Sequence, residues 1–410
     1  MSSKLTHAIA LMCLGFTTMT SLQFSVFGAA LPLIVSDLNI GYGFMGLLIA
    51  AWTVVSALTP LILGRLIDRL PPLWIIVLVL LISTLSSILT AYSYDLTVLN
   101  LARILLSLSF PFVWPISSRL VAAYVSSQRY GYSTAIFNTG SMIGFAASYI
   151  VMALAYNDWR FAMVMAGVVT LAYIPIIIIA WRAFLGSGLD IGRNIERQTV
   201  SVEAGRQEVP RGVVDRIGIL LSLAHFCALY MWGILITWLS TFLVYELRLS
   251  YSEIAQFLSL VTVVSSILEV SAGIYSDRMG GLKGRALILF LGLTPSGILL
   301  LLAVEFAASS PTALVLVSLA ALAWRVSTPS FWSIINDVIP PKYLGRISYM
   351  YVSAAPLSGI ASSTITSAII TFTNSVRLGM LISAAITSAS PIIYFVAARI
   401  GYELKSREHV

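Results

Sequence analysis

The chain has 410 residues, of which 59% are hydrophobic and only 10% charged, and its mean hydropathy is +0.94. That leaves too little polar surface to coat a soluble globule, so the composition requires a bilayer as solvent. The formal net charge of +7 follows from topology, as counted below. It needs no nucleic-acid partner, and a soluble nucleic-acid-binding protein is excluded.

Taken in chain order, apolar runs of about 20 residues occur twelve times, at about 8–35, 43–63, 74–93, 96–123, 132–155, 160–184, 217–245, 252–274, 286–307, 312–337, 346–371 and 376–399. They are continuous and lack the period-two alternation of outer-membrane barrel strands, so they are predicted to be transmembrane helices. The first run exceeds the apolar region of about 7–15 residues in a secretory signal and is read as a retained span. Cys13 and Cys227 both fall inside runs and offer no disulfide framework. Between the sixth and seventh runs lies the longest polar stretch, Gly186 to Asp215, which mixes acidic and basic residues with Gly and Ser. It reads as a solvated connector. The expected organisation is a six-helix half over 1–185, a cytoplasmic linker over 186–215 and a second six-helix half over 216–410. No Gly-x-x-x-x-Gly-Lys-Ser/Thr loop is present to bind ATP.

Placing both termini in the cytoplasm leaves three Lys/Arg outside (Arg160, Arg248, Arg377), two within spans (Arg103, Arg325) and the other nineteen of 24 on inner loops and tails. This is the positive-inside distribution of a multi-pass cell-membrane protein, and its basic inner face favours anionic lipid headgroups.

The two halves are related. Gly273-Ile-Tyr-Ser-Asp277-Arg278-Met-Gly280-Gly281-Leu-Lys283-Gly-Arg285 has a weaker copy at Gly64-Arg65-Leu-Ile-Asp68-Arg69, a shift of 209 residues. The same shift carries Asp37-Leu-Asn-Ile-Gly-Tyr42 onto Glu246-Leu-Arg-Leu-Ser-Tyr251. Further on, Pro115 and Gly131 map onto Pro329 and Gly345 with a shift of 214. Weak internal symmetry of this length is a signature of secondary transporters. In the turn itself, Gly273 is expected to let helix eight approach a neighbour closely, Gly280 to permit positive φ, and Asp277 to accept hydrogen bonds at a helix N-terminus. Such a contact would hold the inner face closed; the alternative is a loop whose charges only enforce topology.

Twelve spans in six-plus-six order, the central linker and the turn Gly273-x-x-x-Asp277-Arg278-x-Gly280 with Lys283 and Arg285 resemble the major facilitator superfamily over nearly the whole chain. The resemblance implies an all-α membrane protein of two pseudo-symmetric six-helix halves. It also implies gating roles for Gly64, Asp68 and Arg69 in the first copy and for Gly273, Asp277, Arg278, Gly280 and Arg285 in the second. Pro71 and Pro72 replace the later glycine and basic residues of the first copy. Arg103 through Pro111, Pro115, Gly131, Asn138 and Gly140, with Trp238-Leu-Ser-Thr-Phe-Leu243 and Pro329-Ser-Phe-Trp332, look like the anion:cation symporter branch, although helix one offers Gln23 where that branch has a basic residue. Gly140-x-x-x-Gly144 is similar to the helix-five antiporter motif without its proline, and it equally suits plain helix packing.

Ionisable groups inside spans cost about 2.5–3.5 kcal/mol each on insertion scales, so each needs a reason. Arg325 lies 14 residues after Pro311 and 15 before Pro340, roughly 20 Å from either end. It cannot snorkel, so it binds either substrate or the carbonyls of a helix broken near Pro329. Arg103 lies about 10 Å from the start of helix four and can serve either function or snorkelling. The two would engage opposite ends of one substrate or line its path. Glu269 is the sole carboxylate well inside a predicted span, Glu253, Glu305 and Asp337 lying within two residues of a span end, and it falls on a stripe with Ser265, Gly273 and Ser276. It is either the proton-coupling site or a structural partner of Arg325, Arg278 or Arg285. Two arginines against one carboxylate leave the interior positive by one charge, and Arg325 is expected to fix the sign of the substrate. Gln23, Asn138, Trp238, Trp324 and Trp332 complete the candidate substrate contacts; a span tryptophan also serves packing. His225 is lone and reads as a hydrogen-bonded helix residue.

No carboxylate pair, Ser-His-Asp set or Cys/His cluster gives catalysis or a metal a seat, and no cofactor or obligate protein partner is indicated. The expected function is secondary transport of a small organic anion, with protons, by alternating access. An efflux pump for amphipathic compounds and a non-transporting receptor on the same frame are the alternatives.

Overall fold

The computed structural model describes residues 3–67, 70–124, 130–184, 211–279, 282–308, 310–339 and 341–407. Among these, regular structure is entirely helical, and twelve helical segments are long and apolar enough to cross a membrane. The helices are α1 (Ser3–Asp37), α2 (Tyr42–Ile67), α3 (Pro72–Ala91), α4 (Leu96–Ser109), α5 (Val113–Tyr124), α6 (Tyr130–Leu154), α7 (Trp159–Phe184), α8 (Arg211–Thr237), α9 (Tyr251–Arg278), α10 (Leu282–Glu305), α11 (Ser310–Val338), α12 (Pro341–Thr373) and α13 (Arg377–Arg407).

Two predicted runs are not single α-helices. The fourth is split into α4 and α5 by a 3-10 turn, Phe110–Phe112, because Pro111 has no N–H to give and its ring crowds the preceding turn. The seventh ends as α8 at Thr237 and continues through a helical turn, Leu239–Thr241, into a π-turn, Phe242–Glu246. Helix α11 keeps its α-helical run through Pro329. The expected connector lies outside the described residues except for its last five, where α8 already begins.

The chain divides into two compact units, one of 1–201 with 250–262 and one of 202–249 with 263–410. Within the first, Ile9, Cys13 and Phe16 of α1 meet Ile76 and Leu80 of α3, Val113 and Ile116 of α5, Phe137 of α6 and Ile177 of α7. Gly140 and Gly144 are what bring α6 against α1. A Cβ at Gly140 would lie 2.1 Å from Thr17 Oγ1 and one at Gly144 2.4 Å from the Thr18 carbonyl, so this pair acts in helix packing. The start of α9 also packs here: Tyr251 donates to the Ala29 carbonyl at 2.8 Å. A capping box fixes its first turn, since the Ser250 N–H donates to Glu253 and the Glu253 N–H to Ser250 Oγ at 3.3 Å.

The repeat extends to the turns. Asn39 and Arg248, related by the 209 shift, both take positive φ, 50° and 55°; Asn157 and Asn374, related by a shift of 217, do the same at 64° and 52°. Just past the second pair, Asp158 and Ser375 accept from the backbone N–H of Arg160 and Arg377 at 2.9 and 3.2 Å. Arg160 pairs with Asp37 in the first half, and Arg377 with Glu246 at 2.9 Å in the second. The first and last spans of each half are thus joined in the same way.

Candidate functional site

In the first unit, Arg103 sits on α4, fixed against α3 by the Ser86 hydroxyl, which donates to the Ala102 carbonyl at 2.7 Å. Its guanidinium carbon lies 4.2 Å from the centre of the Phe27 ring on α1 and 5.7 Å from Trp52 on α2. The two rings meet edge to face at 5.5 Å. Trp52 Nε1 donates to Asn100 Oδ1 at 3.1 Å, and Asn100 shares a helix face with Arg103 by its i, i+3 spacing. Arg103 is 6% exposed, so it does not snorkel into water. Its Nε is buried without an acceptor, and among the described residues no carboxylate pairs with it. Aromatic faces return about 2 kcal/mol to a desolvated cation, less than the several kcal/mol that burial of an ion costs. The arrangement is a positive charge that an incoming anion would complete.

In the second unit, Arg325 of α11 and Glu269 of α9 form a buried ion pair through Nη2 and Oε2, with exposures of 4% and 3%. This settles which cation Glu269 meets. Arg285 instead holds the end of α11, with Nη1 2.6 Å from the Ser333 carbonyl and 2.8 Å from Asp337, and Arg278 is exposed. Arg325 therefore neither floats free nor bonds the carbonyls of a broken helix. Its Nε stays buried and unbonded, leaving donor capacity beside a neutral pair.

The other candidates are dispersed. Gln23 donates to the Ala166 carbonyl and Thr170 Oγ1 at 2.9 and 2.7 Å, binding α1 to α7, while its Oε1 has no partner. Asn138 on α6 accepts from Trp114 Nε1 at 3.4 Å. Trp324 donates to the Ala228 carbonyl at 2.7 Å and stacks on Trp232 at 5.1 Å, and Trp238 is fully buried; both sit in packed interior. Trp332 is 43% exposed. Of the turn residues, Gly64 lies in α2 and Asp277 in the last turn of α9. Asp68, Arg69, Gly280 and the Asp277 side chain lie outside the described residues. The close approach expected at Gly273 occurs elsewhere. A Cβ there would touch Pro329 at an ordinary 3.5 Å, whereas at Gly284 it would lie 2.3 Å from the Ser276 carbonyl.

A cluster not assembled from the sequence surrounds His225 on α8. It stacks on Tyr351 of α12 at 4.0 Å, meets Trp332 of α11 edge-on at 4.9 Å, and has Nδ1 3.2 Å from the hydroxyl of Tyr394 on α13. Being the one histidine inside a predicted apolar run was the only signal it offered.

Two repeated bundles of membrane-spanning helices carrying buried guanidinium groups define the class of polytopic transport proteins. The sequence model of the Major Facilitator Superfamily matches residues 13–363 and 221–408. The chain belongs to that superfamily and is a multi-pass membrane protein. It is 22% identical over 373 residues to the probable sulfoacetate transporter of Cupriavidus necator, covering 87% of this chain and 85% of that protein. It is also 29% identical over 118 residues to the quinolone resistance protein NorA of Staphylococcus aureus, covering 28% of this chain and 30% of that one. Among solved structures, a bacterial homologue of the human lysosomal transporter Spinster, inward-facing and unoccupied, matches with a TM-score of 0.72 at 15% identity over 98% of this chain and 99% of that one.

Proposed function

We propose that the protein is a secondary active transporter that carries a small organic anion across the cell membrane by alternating access, with protons as the coupling ion. The observation that carries this reading is Arg103, a buried guanidinium with aromatic faces and no carboxylate among the described residues. A carboxylate or sulfonate would supply the missing charge and accept forked hydrogen bonds; a cationic drug would add to the excess. The similarity to a probable sulfoacetate transporter supports small acids of this kind. Glu269 is the proposed proton site. An anion drawn to Arg325 competes with it and frees its carboxylate to take a proton. The turn after α9 is proposed to gate the inner face. Both termini and the connector are placed in the cytoplasm, which tags at these points, closed to reagents outside intact cells, would verify.

The deciding experiment is a thermal-shift panel on purified protein, in which small carboxylates and sulfonates are set beside amphipathic cations. A ligand raises the melting temperature in proportion to how far its concentration exceeds its dissociation constant. Stabilisation by anions, lost in Arg103→Gln, is expected. Stabilisation by cations alone would replace this reading with drug efflux. In proteoliposomes, Glu269→Gln that still folds should lose uphill transport while retaining counterflow exchange.

A further inference from the structure

The hydrogen bonds around His225 have one consistent direction. Tyr351 Oη contacts the Phe331 carbonyl, which can only accept, so the single Tyr351 proton is committed there. At the 2.9 Å contact between Tyr351 and Tyr394, Tyr394 must therefore donate. Its proton spent, Tyr394 can only accept at the 3.2 Å contact with His225 Nδ1. The imidazole thus carries its proton on Nδ1, and Nε2 presents a bare lone pair. That atom is buried and has no hydrogen-bond partner, and the residue is fully enclosed.

We propose that His225 is a proton-carrying residue of the transport cycle, with Nε2 the atom that gains and loses the proton, and that the conformation described here is the one in which it is empty. The step is simple: Nε2 takes one proton from water in one conformation, the imidazolium forms, and the same proton returns to water in the other. A second proton in the present arrangement would place a charge among Tyr351, Phe331 and Trp332. Aromatic faces offset only part of the cost of burying it, so loading and opening of the aromatic box are linked. The titratable groups facing the ring are Tyr351 and Tyr394, with Cys227 two residues on along α8. The charged groups of the surrounding helices are paired with each other or set apart from the ring along their helices. On α11, Arg325 and Asp337 pair with Glu269 and Arg285. On α8, Asp215 and Arg216 lie nine or more residues before His225. On α12, Lys342 and Arg346 lie five or more residues before Tyr351. On α13, Arg399 follows Tyr394 by five. Trp332, half exposed, is the least enclosed member of the box, and the box is expected to open there.

This proposal rests on the proton-coupled reading above, but its test needs no substrate, so the two can fail separately. The full chain with His7→Gln and His409→Gln leaves His225 as the single histidine for imidazole-nitrogen NMR. At about pH 8 the signal should be that of the Nδ1–H tautomer, with Nε2 unprotonated. As the pH is lowered below the usual histidine range, Nε2 should become protonated before the protein unfolds, while the tryptophan fluorescence changes in step. Adding Tyr394→Phe should release the tautomer into a mixture, which checks the direction of the hydrogen bonds; the readout a purely structural histidine would not give is reversible protonation of Nε2 in the folded protein. An Nε2–H tautomer at high pH, or an Nε2 that stays unprotonated down to acid unfolding, would overturn the proposal. If the single-histidine protein shows the expected tautomer and titration while the anion panel fails, only the substrate reading falls.

Discussion

Arg103 and Arg325 are both buried arginines on membrane-spanning helices, yet their surroundings are opposite. Arg325 has a carboxylate of its own, Glu269, and the pair is neutral. Arg103 has two aromatic rings and no carboxylate among the described residues. Counting charges locates the single positive excess but not its owner; the pairing assigns it to Arg103. The lesson is that arginines of similar burial divide into those whose charge the fold has already answered and those whose charge is left for a ligand.

The contrast is most easily broken at the paired site. Arg325→Gln strands Glu269, and Glu269→Gln strands Arg325, each at a cost of about 3–5 kcal/mol, read as lost melting temperature and folded yield. The double variant should recover most of it. Single variants as stable as the parent would show that the pair does not hold the fold. At the unpaired site the signs reverse. Arg103→Gln should leave stability unchanged or raised but weaken binding of small carboxylates or sulfonates by about 1.5–3 kcal/mol, roughly ten- to hundredfold, with Arg103→Lys in between. Equal anion affinity in parent and Arg103→Gln by calorimetry would remove its role. Phe27→Leu, which takes away the nearer ring, is expected to cost about 1–2 kcal/mol of stability, an effect that should vanish in the Arg103→Gln background. Smallest is Trp52→Phe, which keeps an aromatic face but loses the bond to Asn100, about 0.5–1.5 kcal/mol by thermal unfolding.

Much of the fold was legible because the bilayer demands long apolar helices, and a chain that meets that demand twice in register shows its repeat. What escaped depends on the rotation of one helix against another. Glu269 and Arg325 could be placed by depth, but whether they face each other turns on the azimuths of α9 and α11, which sequence spacing does not give. Phe27 and Trp52 come from α1 and α2, so nothing near Arg103 in the sequence announces them. Gly273 misled for a related reason: glycine marks a permitted close approach, and the approach that uses the permission is at Gly284. The His225 cluster draws on four helices, and no motif spans four helices.

The repeated ties between first and last spans bear on how the chain is assembled. Asp37 leaves the ribosome 123 residues ahead of Arg160, and Glu246 131 residues ahead of Arg377. At synthesis rates of about 5–20 residues per second, each acidic residue waits roughly 6–26 s for its arginine. Neither bundle can be fastened until its sixth helix has been inserted. The first half can then close while the second is still being made, so the order of birth along the chain becomes an order of closure, and two successive short folding problems replace one long one.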